Sequence, residues 1–271
     1  MSLEIVCDAR CDLAEGPRFY DGVLTWVDIE GCALHRLDGS GSHSVERFDA
    51  MVGCANPTVE GDVVVALADR IEQIGRGEVL ARFPHASDIR ANDGACDPTG
   101  RLWVGTTAVD HRPRAGALYR LDRAGLTTIL DELTIANGIG WSPDGSSMYY
   151  IDTPTERVDV YPYDGELGAR ATFAAVDGHP DGLTVDDEGF VWIAVYGGSR
   201  VERRAPDGSL DRVVRTPTEN PTACCFGGST LYITGGRGDG RLYAYDAGVS
   251  GPQATPFRST APSDAEPTSA R

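Results

Sequence analysis

Four oxygen-bearing side chains recur at one register along this chain of 271 residues. Glu15 lies seven residues before Gly22, while Asn92, Asn137 and Asp181 each lie eight residues before Gly100, Gly145 and Gly189. Each is followed by glycine directly or one position later: Glu15-Gly16, Asn92-Asp93-Gly94, Asn137-Gly138 and Asp181-Gly182. Taken singly, Asn-Gly and Asp-Gly are turn dipeptides. Four in common register, with a glutamate that turn chemistry does not ask for, point instead to equivalent places in a repeated structure. Two carboxylates and two carboxamides converging on one point repel or stay unsatisfied unless a cation sits among them. All-oxygen ligation suits calcium, magnesium or manganese, with zinc also admissible. Three or four protein ligands leave a position for water or substrate, which is what a catalytic metal needs.

The elements that must position these residues are legible as a repeat. Turn glycines fall at Gly22, Gly61, Gly100, Gly145, Gly189 and Gly228, with gaps of 39, 39, 45, 44 and 39 residues. A strand-like run follows each one: VLTWVDI, DVVVALA, RLWVGTT, SSMYYIDT, FVWIAVY and STLYITG. A third run comes about ten residues later. Weaker outer runs follow it, SVERFD, EVLARF, LTTILD, ARATFA, LDRVVR and PQATPF. Four short strands per period of about 40 residues, punctuated by Gly and Pro, predict an all-β, six-bladed β-propeller with four antiparallel strands per blade. The four polar residues then meet at one mouth of the central channel. The run Leu3–Cys7 is expected to add to the last blade and close the ring, since closure leaves no long sheet edge exposed. One domain is expected over residues 1–258, with a mobile tail over 259–271 that is small, polar and rich in Pro.

Composition removes several classes of function. A formal charge of −17 opposes binding to nucleic acid or an anionic membrane surface. All 24 basic residues are Arg, which excludes Schiff-base lysine chemistry and the lysine of a phosphate-binding loop. There is no Gly-x-Ser-x-Gly elbow for a serine hydrolase. No stretch is long and apolar enough to span a bilayer, and the N-terminus does not read as a secretory signal, so a cytoplasmic protein is expected. The seven cysteines (7, 11, 32, 54, 96, 224 and 225) follow no metal spacing and are expected to be buried free thiols, with Cys224 and Cys225 on opposite faces of a strand. Trp26, Trp103, Trp141 and Trp192 are expected between blades.

Five ordered motifs resemble a known family. They are Ala14-Glu15-Gly16-Pro17, Arg90-Ala91-Asn92-Asp93-Gly94, Ala136-Asn137-Gly138 with Trp141-Ser142-Pro143-Asp144-Gly145, Pro180-Asp181-Gly182 and Cys225-Phe226-Gly227-Gly228. Together they are similar to the regucalcin family of gluconolactonases, senescence marker proteins and luciferin-regenerating-enzyme-like proteins, over roughly residues 10 to 245. The resemblance implies a propeller that hydrolyses sugar lactones with one divalent cation. It implies Glu15, Asn137 and Asp181 as metal ligands, Asp181 also as acid/base, and Arg90 and Asn92 as substrate contacts. The physics is compatible: a cation polarises a lactone carbonyl and acidifies water, and Asp181 can take a proton and return it to the leaving ring oxygen. Arg90, two residues from Asn92, shares its side of an extended strand and can bond sugar hydroxyls or an emerging carboxylate.

Two departures from the family pattern bear on the substrate. An acidic contact expected before Gly116-Ala117-Leu118-Tyr119 is replaced by His111-Arg112-Pro113-Arg114, so His111 and Arg112 become candidate substrate-loop residues. The insertion usual after the sixth inner hairpin is reduced to Gly235–Gly240. Both changes should open the pocket or alter its polarity. Two other readings compete: a metal-dependent phosphotriesterase, motivated by the basic loop, and a non-catalytic calcium-binding or interaction propeller.

Overall fold

The computed structural model describes residues 3–259; all of the expected tail after Ser259 lies outside the described residues. Each turn glycine adopts a left-handed conformation, with φ between 65° and 89° at the six positions. Other residues enter that region only with strain, so the glycines set the period. Five sheets are four-stranded antiparallel meanders. Their inner strands are Ala14–Tyr20, Val52–Pro57, Ile89–Cys96, Ala136–Trp141 and His179–Val185. Among the described residues the only helical elements are two short 3-10 turns, Ile74–Arg76 and Thr153–Thr155. This is the expected six-bladed propeller.

The sixth blade is built differently. Pro221–Gly235 is one continuous strand that doubles back at Gly228, which brings Thr222 Oγ1 within 2.8 Å of Thr234 Oγ1. Its second half pairs with Leu242–Gly251, and that strand pairs in turn with Glu4–Ile5 from the N-terminus. The closing strand therefore comes from the predicted N-terminal run. The outer run PQATPF, by contrast, does not form a strand of this blade. Pro252 and Pro256 have no N–H to give a ladder, and the segment instead crosses blades 1 to 3. Along it Ala254 N–H donates to the Phe19 carbonyl (2.9 Å), Phe257 N–H to the Pro57 carbonyl (2.7 Å) and Arg258 N–H to the Gly100 carbonyl (2.9 Å).

Among the described residues the hydrophobic core is divided into six clusters, each between two neighbouring blades. Trp103 of blade 3 packs with Ala136, Ile139, Met148 and Tyr150 of blade 4, and Trp192 of blade 5 packs with Cys224, Phe226 and Ile233 of blade 6. Trp26 of blade 1 lies with Cys225 and Leu242 of blade 6, which closes the ring with apolar contact as well as hydrogen bonds. Trp141 is only partly buried, against the Trp103 cluster. Cys224 and Cys225 enter different clusters, as opposite faces of one strand require. All seven cysteines are free thiols, five of them buried and Cys7 and Cys32 partly so.

Two of the buried indoles are fixed by the carboxylate that opens their own hairpin. Asp97 accepts from Trp103 Nε1 (3.0 Å) and Asp186 from Trp192 Nε1 (2.9 Å). Asp186 also receives Arg203 Nε (2.9 Å) and the Phe190 N–H (2.9 Å). Removing this fully buried acid leaves the Trp192 indole N–H, the Arg203 Nε and the Phe190 N–H without an acceptor, although Glu188 and Asp211 still hold the guanidinium. Asp186→Ala is therefore expected to destabilise the protein by about 3–5 kcal/mol in equilibrium denaturation, and a loss within about 0.5 kcal/mol would contradict this account.

Candidate active site

Every inner strand that carries a candidate residue is interrupted there. The ladder slips between Glu15 and Arg18, between Ala91 and Asp93, between Ala136 and Ile139, and between Pro180 and Leu183. These bulges release Asn92, Asn137 and Asp181 from regular pairing and let them turn toward the axis. The glycine after each makes room for the adjacent strand. A Cβ on Gly138 would lie 2.5 Å from the Asp181 carbonyl oxygen, and one on Gly182 would lie 2.4 Å from Ala223 Cβ.

The strand starts are anchored by a device used in two blades. Asp28, at the end of Val23–Asp28, accepts the N–H groups of Asp12 and Leu13 (both 3.0 Å). Asp152, at the end of Ser147–Asp152, accepts those of Thr134 (3.1 Å) and Ile135 (2.8 Å). Leu13 and Ile135 each stand two residues before a site residue, Glu15 and Asn137. Asn137 is then oriented by Thr153: its Nδ2 donates to Thr153 Oγ1 (3.0 Å), which donates to the Pro180 carbonyl (2.9 Å). That arrangement leaves Asn137 Oδ1 buried with no partner, and Asp181 Oδ1 is equally orphaned.

Glu15, Asn137, Asp181, Arg90, Asn92 and His111 all line one cavity of about 470 Å³. Glu15 and Asp181 retain only 5 % and 6 % exposure. Burial pushes both carboxyls well above the ordinary range; for Glu15 the charges of Asp181 and Asp93 add to this, and for Asp181 that of Asp93. Two orphaned buried oxygens, one of them on a desolvated acid, fit a hard cation, with Glu15 Oε, Asn137 Oδ1 and Asp181 Oδ1 as the available donors. Arg90 donates through Nη1 to Asn92 Oδ1 (2.8 Å) and the Ala91 carbonyl (3.0 Å), and its remaining N–H groups are free to meet a ligand. Asn92 spends its Nδ2 on the Ala136 carbonyl (2.9 Å), so it offers a ligand less than the sequence suggested.

The basic loop divides. His111 reaches the cavity wall, and its pKa is lowered by burial and by Arg90 and Arg237. Arg112 does not: it is held by Asp88 (2.8 Å) and Asp110 (3.0 Å), and Arg114 pairs with Glu132. Several polar wall residues were not singled out from sequence as site residues. Tyr196, Glu156 and Thr153 stand at strand ends or just beyond, and Arg237 comes from the shortened Gly235–Gly240 loop and pairs with Glu30. His179 also lines the wall. Asp93 is a further buried acid, paired with Arg18 (3.4 Å). Its place beside Asn92 in the motif was the signal available.

Residues 13–237 match the family profile described as the SMP-30/Gluconolactonase/LRE-like region. The chain is 36 % identical over 260 residues to a pentonolactonase of Haloferax volcanii, covering 89 % of this chain and 88 % of that one. It is 34 % identical over 259 residues to a regucalcin of Gallus gallus, covering 86 % of each. Among solved structures, a luciferin-regenerating enzyme superposes with a TM-score of 0.90 at 28 % identity, over 95 % of this chain and 99 % of the other.

Raised carboxyl values have a consequence for stability. In the metal-free fold Glu15 and Asp181 bind protons more tightly than in an unfolded chain. The stability this confers is present below the ordinary carboxylate range and is lost as pH rises through the raised values. Metal-stripped protein should melt at lower temperature at about pH 8 than at about pH 5. Asp181→Asn should flatten that slope and stabilise the stripped protein at neutral pH by about 1–4 kcal/mol. A stripped protein whose melting temperature ignores both pH and this substitution would show that the acids are not buried against one another.

Proposed function

The chain belongs to the SMP-30/gluconolactonase/LRE-like family, and on that premise we propose that it is a divalent-metal-dependent lactonase opening a small sugar lactone. The observation that carries the reading is the pair of buried oxygens without partners, Asn137 Oδ1 and Asp181 Oδ1, on the wall of a cavity sized for one sugar ring. Glu15, Asn137 and Asp181 would hold the cation, which when bound would offset the two carboxylate charges and act as a Lewis acid toward the lactone carbonyl. Calcium, magnesium, manganese and zinc are all compatible with this donor set.

Asp181 is the acid/base in this scheme. It accepts a proton from the water whose oxygen bonds to the carbonyl carbon, and it returns that proton to the ring oxygen as the ring C–O bond breaks. The product is an open hydroxy acid. Arg90, with Nε and Nη2 uncommitted, supplies charged donors to the substrate's oxygens or to the carboxylate that forms. Asn92 fixes Arg90 through its Oδ1 and so acts largely by positioning it. His111, held neutral-leaning by burial and two arginines, offers a polar contact without adding charge. Pairing of Arg112 and Arg114 with carboxylates removes the electrostatic ground for a phosphotriester substrate.

Asp181→Ala is expected to lower kcat on a responsive aldonolactone by about 10²–10⁴-fold with the fold intact by circular dichroism. Chelation should abolish turnover in the wild type, and re-adding a divalent ion should restore it. Arg90→Gln should raise KM by about 10- to 100-fold, the value of a lost charged hydrogen bond. Lactone hydrolysis unchanged in Asp181→Ala would overturn the assignment, and so would full activity after exhaustive chelation.

A further inference from the structure

A second constellation lies behind the start of the first inner strand. Cys11 precedes Ala14–Tyr20, Asp28 ends the next strand, and His35 lies in Ala33–Leu37. All three are buried, and each offers one ligand atom within 4.8 Å of the others. Cys11 Sγ is 3.7 Å from His35 Nε2. A tetrahedral zinc ion with ordinary Zn–S and Zn–N bonds sets those two atoms about 3.6 Å apart. His35 Nδ1 lies 3.1 Å from His43 Nε2, and both imidazoles pack on Trp26, with ring centroids 5.0 and 5.5 Å away. The ring is thus held by its far nitrogen with Nε2 toward the thiol, as metal-ligating histidines usually are.

The repeat provides an internal control. Asp28 and Asp152 do the same backbone work in blades 1 and 4. Leu34 pairs with Val27 and Val158 with Ile151, each one residue before the acid, so His35 corresponds to Asp159. Counting back from Leu13 and Ile135 in the same way, Cys11 corresponds to Leu133. The fold needs the acid but not the thiol or the imidazole, which belong to blade 1 alone. Asp28 takes backbone N–H groups only, from Asp12, Leu13 and Gly31, so its charge has not been spent on an arginine. Burial and that charge together push the Cys11 thiol up to about 12, a value that a neighbouring cation would reverse.

We propose that Cys11, Asp28 and His35 form a second metal site, for a zinc-class divalent cation, distinct from the mouth of the channel. Binding exchanges the Cys11 thiol proton, released to solvent, for the ion; thiolate and carboxylate balance its two charges, and water completes the tetrahedron. The ion would clip the segment leading to Glu15 onto the blade 1 sheet.

Cobalt(II) is a suitable probe, because a thiolate ligand gives a near-ultraviolet charge-transfer band that oxygen ligands do not. Reduced, metal-stripped full-length protein titrated with cobalt should develop this band to an endpoint within two equivalents, with the amplitude of one thiolate ligand. Asp181→Asn, Cys7→Ser and Cys32→Ser should keep it, Cys11→Ser should lose it, and His35→Gln should weaken binding at least about 10-fold. Absence of the band in the wild type under excess cobalt would overturn the proposal. Its persistence in Cys11→Ser would do the same by assigning it to another thiol.

Discussion

Two carboxylates removed from water at the axis of a ring are the constraint around which this molecule is arranged. Glu15 and Asp181 come from blades 1 and 5, and Asp93 from blade 3 adds a third negative charge in the same interior. Without compensation such a cluster opposes folding. Part of the compensation is visible: Arg18 pairs with Asp93, and the Gly16 N–H donates to Glu15 Oε2. Arg90 adds a nearby positive charge. What remains is a deficit at the oxygens that face the cavity. The apolar interfaces between six blades must supply enough stability to hold it in place.

That deficit is kept in register by local chemistry. A propeller blade left to itself would send its inner-strand side chains alternately to one neighbouring blade and the other, as Cys224 and Cys225 do, rather than to the axis. The bulges at Asn92, Asn137 and Asp181 break the alternation where the site needs it, and the glycines beside them let neighbouring strands approach backbone to backbone. Asp28 and Asp152 then pin the chain two residues upstream of Glu15 and Asn137. The cost of the interrupted ladders is borne by the hairpins outside them, whose second and third strands pair with fewer interruptions.

This division explains what could be read from sequence and what could not. Turn glycines demand a left-handed conformation that few other residues tolerate, so the period, the blade number and the inner-strand register were visible in one dimension. The ring closure was legible as well, since a short β-type run stood before the first period with no hairpin of its own. The outer run PQATPF misled because its composition resembles an edge strand, whereas its two prolines make it a strap that bonds through isolated N–H groups. Arg237, Tyr196 and Glu156 reach the cavity from where the second strand of each blade ends and leads to the third, a place that carries no motif, and the pairing of Arg112 with Asp88 spans separate loops. Such contacts depend on how blades are rotated about the axis, which sequence spacing does not encode. The same holds for Cys11 and His35: they are 24 residues apart, and only the register of blade 1 brings them together.

Floor and walls of the cavity consequently answer to different parts of the chain. The acids, Asn137 and Arg90 are set by inner strands, whose positions every blade interface constrains, so their place in the cavity is fixed by the ring as a whole. His111 and Arg237 hang from loops that contribute little to those interfaces, and Arg237 makes its charged contact with Glu30 across the mouth. Alterations there can reshape what enters while leaving the buried charges untouched. The short Gly235–Gly240 loop also contributes charge. It brings an arginine to within electrostatic range of Arg90 and His111, so that an otherwise strongly acidic protein presents cationic donors along one side of its cavity, where a substrate's oxygens or its emerging carboxylate would be met.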